Sequence, residues 1–286
     1  MFGNAVNISD NSGSLIVITG CDSGIGRKLA EVLIERGYIV AISYLQESPF
    51  PEGPNIYARK MDIRIPEEVE AFCSFIKNMC QNGLTLRVLV SNAGVAMGGP
   101  VENLPMYIYR ESFEINFFGL VRIIQALIPD LIRSQGTIIV NGSNAGRIAL
   151  PFLSPYVSTK YALEGFCDSL RRELNPLGVK TVLLEPASVA TPIWNKAKQQ
   201  DISFIDKKYL NSFLAGREKF VASGNRGMDS KAAAVMIADI IPLKKPKARY
   251  IISGNKLMSI ILQSLPAWIV DKAVPKIYKM DYGNQA

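Results

Sequence analysis

Apolar residues along this chain fall into short β-branched runs separated by longer stretches with helical spacing. Leu15-Ile16-Val17-Ile18 reads as a buried strand. A polar, glycine-rich turn follows, Thr19 to Gly26. Apolar positions at 29, 32 and 33, with Ala30 beside them, then mark one face of a helix that Gly37 can end. Tyr38 to Tyr44 is a second strand. Beyond a Pro/Gly-rich loop at 48–54 the alternation continues. It predicts a short strand ending at Met61-Asp62-Ile63, a helix over 66–80 with acidic residues in its first turn, and a strand over 86–90. A long helical pattern over 107–132 is closed by Gly136, and a strand over 137–141 follows. A helix over 155–175 carries an apolar stripe at 163, 166, 167, 170 and 174, and a strand over 180–184 completes the alternation. Strands alternating with helices imply an α/β fold: one doubly wound parallel sheet with helices on both faces, in a single domain.

The polar motifs sit where such a sheet binds ligands. Residues 19–26, 62–63, 91–94, 143 and 186–191 all fall at the carboxyl ends of predicted strands, the edge along which an open α/β sheet forms its crevice. The first is a strand–glycine turn–helix unit, which suits a pyrophosphate on the helix N-terminus. On the helix that Ser154 and Pro155 can start, Tyr156 and Lys160 are four residues apart and share a face. A tyrosine hydroxyl titrates near ~10. A lysine ammonium held beside it favours the phenolate and brings it toward the working range. Ser143, at the end of the 137–141 strand, is placed to face that tyrosine and hold a substrate oxygen.

Composition narrows the chemistry further. The chain has 286 residues, 48% hydrophobic and 20% charged, which suits a globular core and excludes disorder. It contains no histidine, which removes histidine-based triads and His-ligated metal sites. The net charge of +7 is modest, and no nucleic-acid motif accompanies its one basic cluster, Lys244 to Arg249. The four cysteines lack C-x-x-C spacing and read as core thiols of a reducing compartment. The polar stretch before Leu15 has no secretory h-region and no segment reaches the ~20 apolar residues of a membrane span, so a cytoplasmic location is the expectation, with peripheral membrane contact allowed but not required.

Taken together, Thr19-Gly20-x-x-x-Gly24-x-Gly26, Asp62, Asn92-Ala93-Gly94, Asn116, Ser143, Tyr156-x-x-x-Lys160 and Pro186 to Thr191 resemble the short-chain dehydrogenase/reductase family over residues 14–253. The wording of Thr19 to Gly26, and Gly99 to Glu102, is similar to the retinol and hydroxysteroid dehydrogenase branch. The resemblance implies a Rossmann-type NAD(P)-binding domain with Tyr156 as general acid/base and Lys160 lowering its pKa and holding the nicotinamide ribose. It implies Ser143 on the substrate oxygen and Asn116 positioning a proton-relaying water. The cofactor would meet Gly20, Ser23, Gly24, Ile25 and Gly26 at its pyrophosphate, Asp62 and Ile63 at its adenine, Asn92, Ala93 and Gly94 at its adenosine ribose, and Val189 and Thr191 at its carboxamide. Two positions depart from the family pattern: Ala187 stands where glycine follows the proline, and Ser91 replaces the first asparagine of a pair.

These expectations define an oxidoreductase that interconverts an alcohol and a ketone or aldehyde by hydride transfer, with a catalytically silent cofactor-binding regulator as the alternative. NAD is favoured over NADP because Ser23 and Tyr44-Leu45 supply no basic group for a 2′-phosphate. The aromatic-rich stretch at 192–226 implies a lid over a bulky apolar substrate of steroid or retinoid type. Residues 254–286 form a C-terminal helical extension with apolar patterns on either side of Pro266. The long helices over 107–132 and 155–175 resemble those that pair in family dimers and tetramers, so a homo-oligomer is expected.

Overall fold

In the computed structural model, which describes residues 13–51, 53–278 and Met280, the continuous apolar runs become strands buried on both faces. The first half runs β1 (Ser14–Ile18), α1 (Gly24–Glu35), β2 (Ile39–Tyr44), β3 (Ile56–Lys60), α2 (Pro66–Gln81) and β4 (Thr85–Ser91). Next come α3 (Met106–Phe113), α4 (Gly119–Ser134), β5 (Thr137–Asn141), α5 (Ser154–Leu174) and β6 (Lys180–Pro186). The remainder comprises β7 (Val189–Ala190), α6 (Ile193–Lys198), α7 (Lys207–Asn225), β8 (Met228–Asp229), α8 (Ser230–Ala238), β9 (Arg249–Ile252), α9 (Lys256–Gln263) and α10 (Ala267–Ile277). Seven strands form one parallel sheet in the order β3-β2-β1-β4-β5-β6-β9, with Leu15 opposite both Ile39 and Leu86. The expected doubly wound sheet is the one observed.

Alternation along each strand explains why these runs are apolar throughout. Leu15 and Val17 join one core with α2, α4 and α5, while Ile16 and Ile18 join a second core with α1 and α8. A strand covered on both sides has no polar face to spare. All four of these residues are fully buried.

Several details depart from the sequence pattern. The third strand ends at Lys60, before the expected Met61 to Ile63, which leaves those residues beyond the sheet edge. The 107–132 pattern is not one α-helix: a π-helical turn at Glu114–Phe118 separates α3 from α4. One-turn π segments of this kind often mark functional positions, and Asn116 sits in it at 2% exposure. The helix α8 and the sheet-edge strand β9 had no counterpart in the apolar pattern.

Candidate active site

The turn after β1 is shaped by close approaches as much as by flexibility. Gly20 has φ +69°, and a Cβ there would come within 2.7 Å of the Ala93 Cα. At Gly26 a Cβ would lie 2.4 Å from the Asn92 amide nitrogen. That amide donates to the carbonyls of Thr19 and Gly20, both at 3.0 Å, so the glycine turn and the loop after β4 are locked together. The side chain of Ser23, at the N-cap of α1, makes no capping bond, and the first turn of α1 holds no acidic residue. The N–H groups at the start of this helix therefore face a cavity of about 410 Å³.

That cavity brings together nearly all the predicted residues. Gly20, Ser23, Gly24, Ile25, Asp62, Ile63, Asn92, Ala93, Gly94, Ser143, Tyr156, Lys160, Val189 and Thr191 line it. Gly26 and Asn116 stand behind the wall. Gly26 admits Asn92, while Asn116 Oδ1 accepts the Val95 N–H at 2.8 Å and its amide donates to Val95 O and Thr159 Oγ1, both at 3.0 Å. Asn116 also sits against Gly94, where a Cβ would lie 3.1 Å from its Oδ1. Asp62 is occupied differently from expectation. Its carboxylate takes a forked pair of bonds from Arg64, whose guanidinium also reaches Glu111, and this holds the Asp62 carboxyl below its usual range.

At the reacting end, Tyr156 and Lys160 are 8% and 7% exposed. The Lys160 Nζ donates to Asn141 O at 2.9 Å and lies 5.7 Å from the centre of the Tyr156 ring. Ser143 Oγ accepts the Ala145 N–H at 3.0 Å, which fixes the short 3₁₀ turn at Asn144–Gly146. The electrostatics correct one expectation. Burial pushes the Tyr156 hydroxyl above its ordinary range, and the influence pulling it down is the hydrogen bond with Ser143 rather than the Lys160 charge. Burial also brings Lys160 down from 10.5 to about 8. At neutral pH the site thus holds a protonated phenol beside a lysine that gives up its proton readily.

Other contacts around the site had no signal in the sequence. Arg147 bonds Glu185 at 3.1 Å and pairs with Glu164, and Arg249 bonds Glu164 at 3.0 Å and Asp168 at 2.9 Å. Gln263, at the end of α9, donates to Asn144 Oδ1 and to Glu185. Glu185 is 3% exposed, so these partners offset the cost of burying its charge, and they brace the loop that carries Ser143. On the substrate side, the Trp194 indole donates to Val189 O at 2.6 Å, and the ring lines the cavity. Phe213 does not. It is 5% exposed, packs edge-on against Phe152 at 5.8 Å, and lines a smaller, separate pocket with Tyr278. Phe152 itself has φ +64°, an unusual conformation for a bulky residue, and its carbonyl accepts the Gly99 N–H at 2.7 Å.

A parallel sheet with a glycine turn, an uncapped helix start and, along one edge, a half-buried serine beside a buried tyrosine and lysine defines a nicotinamide-dinucleotide oxidoreductase. A sequence model of the short chain dehydrogenase family matches residues 14–202. The chain is 34% identical over 277 residues to the NADPH-dependent 3-dehydrocapnine reductase of Ornithobacterium rhinotracheale, covering 93% of this chain and 96% of that one. To the NADPH-dependent 1-acyldihydroxyacetone phosphate reductase of Saccharomyces cerevisiae it is 28% identical, covering 95% and 93% of the two chains. Among solved structures, a short chain dehydrogenase/reductase from Burkholderia phymatum in complex with NAD superposes with TM-score 0.76 at 19% identity, covering 91% and 95% of the two chains. The chain belongs to the short-chain dehydrogenase/reductase family and is an NAD(P)-dependent oxidoreductase.

Proposed function

We propose that the protein interconverts a bulky, apolar ketone and its secondary alcohol, with Tyr156, Ser143, Lys160 and Asn116 as the catalytic group and 192–226 as a lid over the substrate. The observation that carries this reading is the convergence of Ser143, Tyr156 and Lys160 on one cavity with the uncapped start of α1. The residues fit a nicotinamide dinucleotide. Ser23, Gly24 and Ile25 would take its pyrophosphate, Asn92 to Gly94 its adenosine ribose, Lys160 its nicotinamide ribose, and Val189 and Thr191 its carboxamide. Bound there, it supplies or accepts the hydride.

The protein's own part is to position the substrate oxygen and move one proton. Ser143 donates a hydrogen bond to that oxygen and steadies the charge developing on it. Tyr156, kept protonated by its burial, gives its proton to the nascent alkoxide in reduction; in oxidation it must first lose that proton, and as the phenolate it takes the hydroxyl proton of the alcohol. Lys160 holds positive charge beside the phenol ring and loses it above about pH 8. Asn116, pinned by the π-helical turn, keeps the Val95 segment and α5 in fixed relation through Thr159. Support for an apolar substrate comes from Ile193, Trp194, Val95, Ala96 and Ile115 on the cavity wall, and from the relative named for an acylated substrate, 1-acyldihydroxyacetone phosphate. Exposed Met106, Tyr107, Phe118 and Tyr161 on α3, the π turn and α5 support pairing of these helices in a homo-oligomer.

The test is Tyr156→Phe, assayed on a panel of steroid and retinoid ketones and alcohols against short polyols. The variant should lose roughly 10²–10⁴-fold in turnover while quenching of its fluorescence by cofactor persists. Retention of more than about a tenth of wild-type activity would remove Tyr156 from the mechanism. Faster turnover of the polyols than of the lipophilic substrates would overturn the substrate class.

A further inference from the structure

The positive charge of the chain is concentrated near its C-terminus. Between residues 244 and 280 lie Lys244, Lys245, Lys247, Arg249, Lys256, Lys272, Lys276 and Lys279 against Asp271 alone. Of these, Arg249 is already paired with Glu164 and Asp168, and Lys244, Lys245 and Lys247 precede β9; α9 and α10 themselves carry Lys256, Lys272 and Lys276 against Asp271. The same stretch holds a dense run of exposed large apolar side chains. Leu257 is 69% exposed, Trp268 61%, and Met258, Ile260, Ile261 and Leu262 are each exposed as well. Only Ser259 of α9 is buried, and no residue of α10 is. Burying this surface against the protein's own core is therefore not what these side chains do.

The two helices meet at Pro266 with a bend of 109°, which makes a wedge rather than a straight membrane span. The wedge is tied to the rest of the fold at its bend and at the far end of α10. Gln263 holds Asn144, the neighbour of Ser143, and Tyr278 fills the space left by Gly216 on α7, where Lys219 donates to the Ile277 carbonyl. The wedge thus stands between the catalytic loop and the lid.

We propose that the α9–α10 wedge is a docking surface for an anionic lipid bilayer, with its apolar side chains among the headgroups and its lysines on the lipid phosphates. Helices with exposed leucine, isoleucine and tryptophan flanked by lysine lie in the plane of such an interface. Charge selects this occupant over a second copy of the chain. A self-paired wedge would bring Lys256, Lys272 and Lys276 of two copies together with only Asp271 to offset them, whereas an anionic surface neutralises them. Lys272 lies 5.4 Å from the centre of the Trp268 ring, so the aromatic anchor and a cation reach the interface side by side. Docking there places the rim of the substrate cleft against the membrane. This surface stands whether or not the substrate is lipophilic.

The experiment is co-sedimentation of the full chain with vesicles of phosphatidylcholine alone or with phosphatidylglycerol added at roughly a third of the lipid. Binding to the anionic vesicles should be at least about tenfold tighter, and should weaken several-fold as salt rises from about 0.05 to 0.5 M. The double variant Leu257→Ser/Trp268→Ser, both side chains exposed, should lose about tenfold in vesicle binding and keep its thermal midpoint and its turnover of a small water-soluble ketone. Wild-type protein that stays in the supernatant with both vesicles would overturn the proposal, as would a double variant that binds as well as wild type. A double variant with reduced oligomeric mass by light scattering and no change in vesicle binding would assign the face to a second copy instead. Vesicle binding is read without substrate, so its failure leaves the lipophilic-substrate reading intact, and failure of the substrate panel leaves the docking surface intact.

Discussion

The two ends of the active-site cleft are built by opposite means. At the cofactor end, short contacts between backbone and small residues leave almost no freedom. Gly20 lies against Ala93, Gly26 against Asn92, and Asn92 Oδ1 accepts from Asn141 at 3.0 Å, so the loops after β1, β4 and β5 form one bonded unit. At the other end Trp194 lines the cavity, and behind it large side chains from distant segments lean on one another. Trp194 covers Gly224 and meets Phe220 at 4.8 Å, Phe213 meets Phe152, and Tyr278 covers Gly216. The first end fixes the reaction through atoms that tolerate no change of type. The second is held by packed volumes that many sequences can fill. A hydride site shared among many reactions needs the first, and a chain with its own substrate needs the second.

The sharpest way to break the comparison is to trade reactivity for stability at the fixed end. Lys160 is buried with its pKa down from 10.5 to about 8, so the folded state binds fewer protons than the unfolded chain between those values. Its cation therefore costs stability in full below pH 8, and the cost fades as pH rises toward 10.5. Lys160→Met should raise the thermal midpoint at pH 7 by a few degrees, about 1–3 kcal/mol less the lost bond to Asn141 O, and this gain should vanish near pH 10.5. Turnover should fall by about 10²-fold or more. In the wild type, kcat/KM should decline as pH rises through about 8, where Lys160 loses its charge. A variant destabilised at pH 7, measured by calorimetry, would show that the buried cation is a structural support and not a strained catalytic group.

How far the sequence foretells each end follows from the same contrast. Thr19 to Gly26, Asn92 to Gly94 and the Tyr156–Lys160 spacing were legible because each is local: a turn, a loop or two helix positions whose chemistry dictates residue type. The sheet was legible because strands covered on both faces must be apolar at every position. Arg249–Ile252, by contrast, is short, follows a lysine-rich loop and is only partly buried until its last residue, so no pattern announces β9. The bracing of Ser143 by Gln263 and Glu185 spans 119 and 78 residues of sequence, and the Asp62–Arg64 fork is formed by side-chain geometry that spacing does not specify. Trp194 and Phe213 looked alike in sequence as aromatic lid residues. The structure separates them because Phe152 and Tyr278 claim Phe213 from behind.

That separation gives a second, smaller test at the adaptable end. Trp194→Ala removes a ring that lines the cavity, bonds Val189 O and covers Gly224. It should raise KM for a bulky apolar substrate by about tenfold, the scale of losing part of a buried aromatic contact, with kcat for a short ketone changed by less than about threefold. Equal losses on both substrates would mean that Trp194 serves the carboxamide loop through Val189 and takes no part in selecting the substrate.

The smallest expected effect concerns the cofactor, where the fixed end meets solvent. The Asp22 carboxylate accepts the N–H groups of Leu45 and Gln46, both at 2.8 Å, just beyond the end of β2. The one guanidinium on this part of the cavity wall, Arg64, already serves Asp62 and Glu111. A 2′-phosphate would therefore meet fixed carboxylates and a cation with its charge already matched, so its binding depends on whether Arg64 can leave Asp62. The NADPH-dependent relatives make Arg64 the residue to test. Calorimetric titration of both cofactors into the wild type and Arg64→Leu decides between the two. Preference for NADPH by tenfold or more in the wild type, lost in Arg64→Leu, would show that Arg64 leaves Asp62 to bind the phosphate. A preference for NAD that survives the substitution would place the selection in Asp22 and the backbone of residues 44–46, a part of the site that spacing and residue type leave open.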